Sequence, residues 1–394
     1  MNILLLSVGD GESWRSWSGS TKSLVDHLRK AGHSVTCRNV DLHGLRRLKV
    51  ALVSYSPDKR RWGVRYHLGR SGFEERSRVA QEAVQGMESR IDAVIQVGAT
   101  FLVTPRTDLP MVLYCDSNIK LSRAGAIAGV SEASTLTERE LREIEDRETQ
   151  VYENADRIYC MSDRLRASFV SEFGIPEHRV ETAYPGPNFP IGEAPVVPQR
   201  DSGCEPVILF IGRDFERKGG ELLLHAFSRV RAAVPEARLL IVGPDSIPLA
   251  SGDPRWQGVE LLGFLDKESP KGQESLYEAY RSAGVFCLPT RFEPFGIVFL
   301  EAMYYQLPCV GPDAWAIPEI IQDGETGLLF ASDDASELAT SLIKILENPS
   351  GSRGMGSAGA RRLDSEFSWR VAAEKIAAGI EALIEREARS GGVE

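Results

Sequence analysis

Residues 207–220 read VILFIGRDFERKGG. The apolar run Val207 to Ile211 is far too short to span a bilayer and the right length for a buried strand. Gly212 lets the backbone turn sharply where the strand ends. Arg213 and Lys218 project from that turn, just ahead of a helical pattern over Gly220 to Val234. Two cations beside a helix N-terminus suit a diphosphate. The competing reading is a charged surface loop. Strand–turn–helix units of this kind imply a parallel sheet with right-handed crossovers.

The same alternation extends in both directions. Downstream, Ala237 to Val242, Gly258 to Leu262, Gly284 to Leu288 and Leu307 to Val310 are short apolar runs separated by polar helical patterns. Upstream, Asn2 to Val8 is a strand, Ser20 to Ala31 a helix and Ser34 to Arg38 a strand. Ile91 to Gly98, Pro110 to Cys115 and Arg157 to Met161 are further strands, the last followed by the helix-capping pair Ser162-Asp163. Glu132 to Ala155 reads as one long charged helix. Between Tyr184 and Pro206 prolines and glycines replace any periodicity, which marks a linker. The expected architecture is α/β: two doubly wound Rossmann-like domains, residues 1–187 and 207–366, joined by a linker at 188–206, with a closing helix over 367–394 that crosses back to the first domain. Ligands then sit in an interdomain cleft at the carboxyl ends of the strands.

The chain has 394 residues, 42% hydrophobic and 26% charged, which excludes a disordered or fibrous protein. Its net charge of −10 argues against nucleic acid as a partner. The charge is uneven: Arg46 to Arg78 holds ten Lys or Arg against three acids, +7, leaving −17 elsewhere. Trp62, Tyr66 and Phe73 interleave with these cations. Such a segment holds an anionic ligand, lies against acidic lipid headgroups, or is simply a solvated face. Six scattered cysteines suit a reducing compartment. The start of the chain reads as a strand rather than a signal peptide, so the expected location is cytoplasmic, with peripheral contact at the membrane face left open.

The common nucleotide and metal fingerprints are missing: there is no GxxxxGK[ST], no Asp-x-Asp and no HExxH. Gly354-x-Gly356-x-x-Gly359 follows no strand and is a chance match. The informative stretch is Leu288 to Met303, LPTRFEPFGIVFLEAM. A helix opening near Phe295 would offer the amides of Phe295, Gly296, Ile297 and Val298 to an anionic leaving group. Glu293 stands at its mouth and Glu301 about 12 Å along it, so both carboxylates can face one cleft. The alternative is a Glu that complements the helix dipole and a second one at the surface.

Gly212-Arg213, Lys218-Gly219, Glu293-Pro-Phe-Gly-Ile, Glu301-Ala and Pro318-Glu319-Ile with Gly324-x-x-Gly327-Leu328-Leu329 resemble, in order and spacing, the C-terminal half of the retaining glycosyltransferases of family four, which have the GT-B fold. The resemblance implies a nucleotide-diphosphate sugar, UDP- or GDP-linked, as donor and no metal or other cofactor. Arg213 and Lys218 would neutralise the leaving diphosphate, with Phe295, Gly296, Ile297 and Val298 supporting phosphate and sugar. Glu293 would contact the donor sugar, Glu301 the ribose, and Phe264 the base. In the first half, Gly19 stands in place of the family's glycine-rich loop. Asp116 stands where many relatives have a histidine, and is either an acceptor-contacting catalytic carboxylate or a helix cap. Trp315 replaces a usual glycine pair and narrows the sugar pocket. Arg60, Arg61, Trp62, Arg65 and Asp116 are the candidate acceptor contacts, for a glycan, sugar phosphate or lipid-linked acceptor. The competing functions are a non-catalytic nucleotide-sugar binder and a GT-B phosphorylase or epimerase.

Overall fold

The computed structural model describes residues 1–87, 90–104, 109–128, 130–189, 206–250 and 252–390. Residues 190–205, most of the proline-rich linker, lie outside the described residues. The chain forms two units. One comprises Met1–Pro185 with the segment from Trp369 onward, and the other Gly186–Ser368.

In the first unit six strands, β1 Asn2–Ser7, β2 Ser34–Asn39, β3 Ala93–Val97, β4 Met111–Cys115, β5 Arg157–Cys160 and β6 Val180–Thr182, form one sheet in the order β2-β1-β3-β4-β5-β6. All pairings are parallel, with Leu5 registered on Cys37 and on Ile95. Helices cover both faces, which is why β3 and β4 are buried along their whole length. Leu4, Leu6 and Val94 pack with Ala80 and Val84 on one side. Leu113, Cys115 and Ile158 pack with Tyr152, Leu165 and Phe169 on the other. The one polar residue of β3, Gln96, donates to the Gly98 and Phe101 carbonyls at 2.9 and 2.8 Å and so shapes the turn that follows.

The final helix, Trp369–Ser390, belongs to this unit. The Lys375 ammonium donates to the Thr182 carbonyl at 2.8 Å, and the Trp369 ring meets Tyr114 edge-on.

In the second unit β7 Val207–Ile211, β8 Arg238–Val242, β9 Val259–Gly263, β10 Val285–Cys287, β11 Cys309–Pro312 and β12 Gly327–Phe330 form a parallel sheet in the order β12-β11-β10-β7-β8-β9. The chain winds from β7 to one edge through β8 and β9, then returns beside β7 at β10 and winds to the other. That is the order of a dinucleotide-binding fold, with its crevice at the carboxyl ends of β7 and β10.

Two expectations change, and the chance reading of the GxGxxG run holds. The stretch Glu132 to Ala155 is not one helix. A short turn, Glu132–Thr135, ends at Leu136, and Thr137 then caps the helix Glu138–Asn154 in a reciprocal capping box with Glu140. Asp116 caps no helix, because Asn118 accepts from the Leu121 amide and caps Ile119–Ala124. The GxGxxG run lies inside the helix Pro349–Glu366. A Cβ at Gly356 would stand 1.9 Å from the Gln306 carbonyl oxygen, so the glycine serves close packing.

One part-buried acid gives the first unit a pH dependence. Glu148 on the helix Glu138–Asn154 accepts from the Ile119 amide at 2.9 Å and the Tyr152 hydroxyl at 3.0 Å. Burial pushes its carboxyl from 4.5 up to about 7. The folded state therefore holds this proton more tightly than the unfolded chain. Its contribution is complete below the unfolded value and is lost as pH rises through the folded one. Unfolding of wild type and Glu148→Gln in denaturant from about pH 4.5 to about 8 is expected to show the wild type losing up to about 3 kcal/mol relative to the variant. A pH-independent difference would refute this account of Glu148.

Candidate functional site

The site is built on the carboxyl ends of β7 and β10, which pair directly. After β7, Asp214 accepts from the Arg217 amide at 3.1 Å, and the Lys218 amide donates to the Asp214 carbonyl at 2.9 Å. This turn brings Lys218 back over the strand end. Gly219 follows at φ 77°, where a Cβ would fall 1.8 Å from the Pro289 carbonyl oxygen. Only glycine lets the post-β7 turn touch the post-β10 loop this closely.

The two loops are stitched by backbone and side chain. The Arg291 amide donates to the Arg217 carbonyl at 3.0 Å, and the Arg217 guanidinium donates to the Phe292 carbonyl at 3.1 Å. The buried Thr290 hydroxyl donates to the same Phe292 carbonyl at 2.9 Å. In consequence the Lys218 ammonium and the Glu293 carboxylate form an ion pair with both side chains largely buried. Arg213 is exposed nearby in the chain and lays its guanidinium over the Phe264 ring, 4.4 Å from the centroid. The Phe264 amide in turn faces Asp245 at the end of β8, and Phe264 is 43% exposed.

The helix after this loop is Ile297–Tyr304, capped by Gly296 at φ 110°. It starts two residues later than the sequence pattern suggests, so Glu293 lies in the loop before it. Phe295 and Gly296 are buried, and Ile297 and Val298 are part-exposed in its first turn, where amides have no carbonyl within the helix to bond. Glu301 is 1% exposed and already engaged. Its Oε1 accepts from the Lys267 ammonium at 2.5 Å and its Oε2 from the Tyr280 hydroxyl at 2.8 Å. Glu301 and Glu293 therefore do not stand as two open carboxylates; each carries a lysine.

Sequence reading missed Arg217, Thr290, Lys267 and Tyr280. Lys267, three residues beyond Phe264, was the one detectable from position, as a cation following a strand end. The other three act through tertiary contacts. Trp315 adopts φ 60° after β11, donates its indole N–H to the Arg291 carbonyl at 2.9 Å and meets Phe292 edge-on. It thus braces the segment leading to Glu293.

In the first unit, Gly19 at φ 92° precedes the helix Ser20–Lys30, and the Trp17 ring in the same loop lies against Gly98. The loops after β1 and β3 meet there, at that sheet's own switch point. Asp116 is part-exposed at the end of β4. Of the basic segment, Arg61 and Arg65 both pair with Glu140, at 3.0 and 3.1 Å, and the Trp62 indole donates to the Ala51 carbonyl at 2.9 Å. Arg60 is exposed. Among the described residues, no three His, Cys, Asp or Glu side chains converge to hold a metal ion.

Comparison with known proteins bears on this geometry. Residues 205–348 match the family described as Glycosyl transferases group 1. Over that stretch the second unit is similar to a group 1 glycosyltransferase domain. A mannosyltransferase of Corynebacterium glutamicum, described as GDP-mannose-dependent and acting on a monoacylated phosphatidylinositol monomannoside, is 31% identical over 43% of this chain and 46% of its own. D-inositol 3-phosphate glycosyltransferase of Streptomyces coelicolor is 28% identical over 58% of this chain and 56% of its own. The matched stretch thus spans about half the length of these curated relatives. Among solved structures, sucrose-phosphate synthase from Thermosynechococcus elongatus has a TM-score of 0.68 at 20% identity, covering 98% of this chain and all of that one. A glycosyltransferase from Rickettsia africae has a TM-score of 0.65 at 13% identity, covering 97% and 98%. The fold is therefore GT-B, and both units of this chain take part in the likeness.

Lys267 is the nearest partner the buried Glu301 carboxylate has for its charge. Lys267→Met leaves that charge buried with only Tyr280 beside it, and is expected to cost about 2 kcal/mol in denaturant unfolding. Adding Glu301→Gln to Lys267→Met is expected to recover most of that loss. A double variant no more stable than Lys267→Met would show that the pair does not carry the effect.

Proposed function

We propose that this chain transfers a sugar from a nucleoside-diphosphate sugar to an acceptor, with retention of anomeric configuration and without a metal ion. The observation that carries the reading is the Lys218–Glu293 pair, held where β7 and β10 end side by side, with Arg213 on the same turn. Departure of the nucleoside diphosphate builds negative charge on the phosphate. Lys218, Arg213 and the first-turn amides of Ile297–Tyr304 would donate to that charge. Fixed cations and amides supply what a metal would otherwise supply. The diphosphate draws Lys218 away from Glu293, and the released carboxylate then accepts from the donor sugar's hydroxyls. Glu301 accepts the ribose diol once Lys267 yields its place, and Phe264 borders the base. Phe295 and Gly296 form the backbone against which phosphate and sugar lie.

The acceptor docks on the first unit, near Gly19 and Asp116 at the carboxyl ends of its strands, with Arg60, Arg61, Trp62 and Arg65 on the crossover that leaves β2. The named relatives act with GDP-mannose or on D-inositol 3-phosphate and a phosphatidylinositol mannoside, which supports an anionic, phosphate-bearing acceptor and makes GDP-mannose the first donor to try.

Purified protein treated with chelator and offered UDP-, GDP- and ADP-sugars is expected to release nucleotide slowly from one of them. Lys218→Ala and Glu293→Ala are each expected to lower that release by about 100-fold or more. Release that persists in both variants, or that depends on added metal, would refute the mechanism.

A further inference from the structure

The basic segment of the first unit carries an apolar surface that nothing among the described residues covers. The helix Gly44–Val53 buries Val50 completely but leaves Leu45 83% exposed, Leu52 77% and Val53 65%, with Leu48 also exposed. At 100° per residue Leu45, Leu48 and Leu52 share one face, and Val53 extends it. Beyond the helix end Tyr55 is 62% exposed and Trp62 37%. Their rings meet edge-on at 5.8 Å, and the Trp62 N–H is already satisfied by the Ala51 carbonyl, so the apolar edges face outward. Six of the eight large hydrophobic side chains that are exposed among the described residues fall between Leu45 and Trp62. Scattered exposed leucines are ordinary, whereas a contiguous patch marks a partner.

The charge around the patch selects that partner. Arg46, Lys49, Arg61 and Arg65 are held on Glu82, Glu75 and Glu140, which fixes the helices. Lys49 nonetheless lies on the leucine face with its side chain 61% exposed, and Lys59 stands exposed one helical turn before Trp62. A second copy seated here would bring two +7 segments together against their mutual repulsion. We propose that the face formed by Leu45, Leu48, Leu52, Val53, Tyr55 and Trp62 docks the protein on an anionic phospholipid bilayer, the leucines entering the headgroup–acyl boundary and Lys49 and Lys59 meeting lipid phosphates. The strongly acidic remainder of the chain is repelled by the same surface, so charge also sets the orientation. Among the described residues no helix is long and apolar enough to cross the membrane, so the contact is interfacial.

The test is co-sedimentation of the full chain with vesicles of phosphatidylcholine alone and of phosphatidylcholine with phosphatidylglycerol, at low and high salt. The protein is expected to pellet only with the anionic vesicles and to be released by salt. Leu48→Ser with Leu52→Ser, and separately Lys49→Gln with Lys59→Glu, are each expected to lower partitioning about tenfold, with circular dichroism and unfolding temperature unchanged. Failure of the wild type to pellet, or equal partitioning of folded variants, would overturn the proposal. So would a lipid-free dimer in sedimentation velocity that Leu48→Ser with Leu52→Ser abolishes, which would assign the face to a second copy. This outcome does not depend on whether the chain transfers sugar.

Discussion

The close approach of two loops at the carboxyl end of β7 is the constraint on which the second unit's chemistry depends. A parallel sheet that winds outward in both directions from one strand leaves a crevice there, because the two crossovers diverge. Gly219 admits the Pro289 carbonyl into that crevice, and Arg217 ties the loops, its carbonyl accepting from the Arg291 amide and its guanidinium donating to the Phe292 carbonyl. Lys218 and Glu293, 75 residues apart in sequence, meet as a result. Without the contact at Gly219 the ion pair has no fixed geometry, and a leaving diphosphate would find mobile cations instead of oriented ones.

The site is also balanced in charge. Glu293 is held by Lys218 and Glu301 by Lys267, so neither buried carboxylate stands alone. This lowers the desolvation cost of keeping acids in a crevice. In the proposed mechanism it would also couple binding to exchange: an entering anion would take a lysine, and the freed carboxylate would turn to neutral hydroxyl donors. The same pairing logic appears in the first unit, where Glu140 at a capping box holds both Arg61 and Arg65.

Much of the architecture was legible in local pattern, because parallel strands buried on both faces read as short apolar runs and their turns carry glycine and cations. VILFIGRDFERKGG gave strand, turn and Lys218 together, and Ser162 was readable as the cap of Asp163–Ser171. What escaped was set by tertiary contact. The helix start at Ile297 is delayed by Gly296, whose left-handed backbone keeps Glu293 in a loop. The break at Leu136 is by contrast a local signal, the Thr137-x-x-Glu140 capping box, which the sequence reading overlooked. Lys267 and Tyr280 reach Glu301 across 34 and 21 residues, and no spacing rule connects them. Likewise the +7 run looked like free charge, yet several of its cations are spent on acids from other helices, and its exposed character turned out to be as much apolar as basic.

The central claim is that Lys218 and Glu293 mark a diphosphate site. Calorimetric titration of guanosine and uridine diphosphates, and of the corresponding nucleosides, into wild type and Lys218→Ala tests it most directly. The account predicts that one diphosphate binds the wild type and loses at least about tenfold in affinity in the variant, while the nucleoside is unaffected. Equal binding of that diphosphate by both proteins would contradict it.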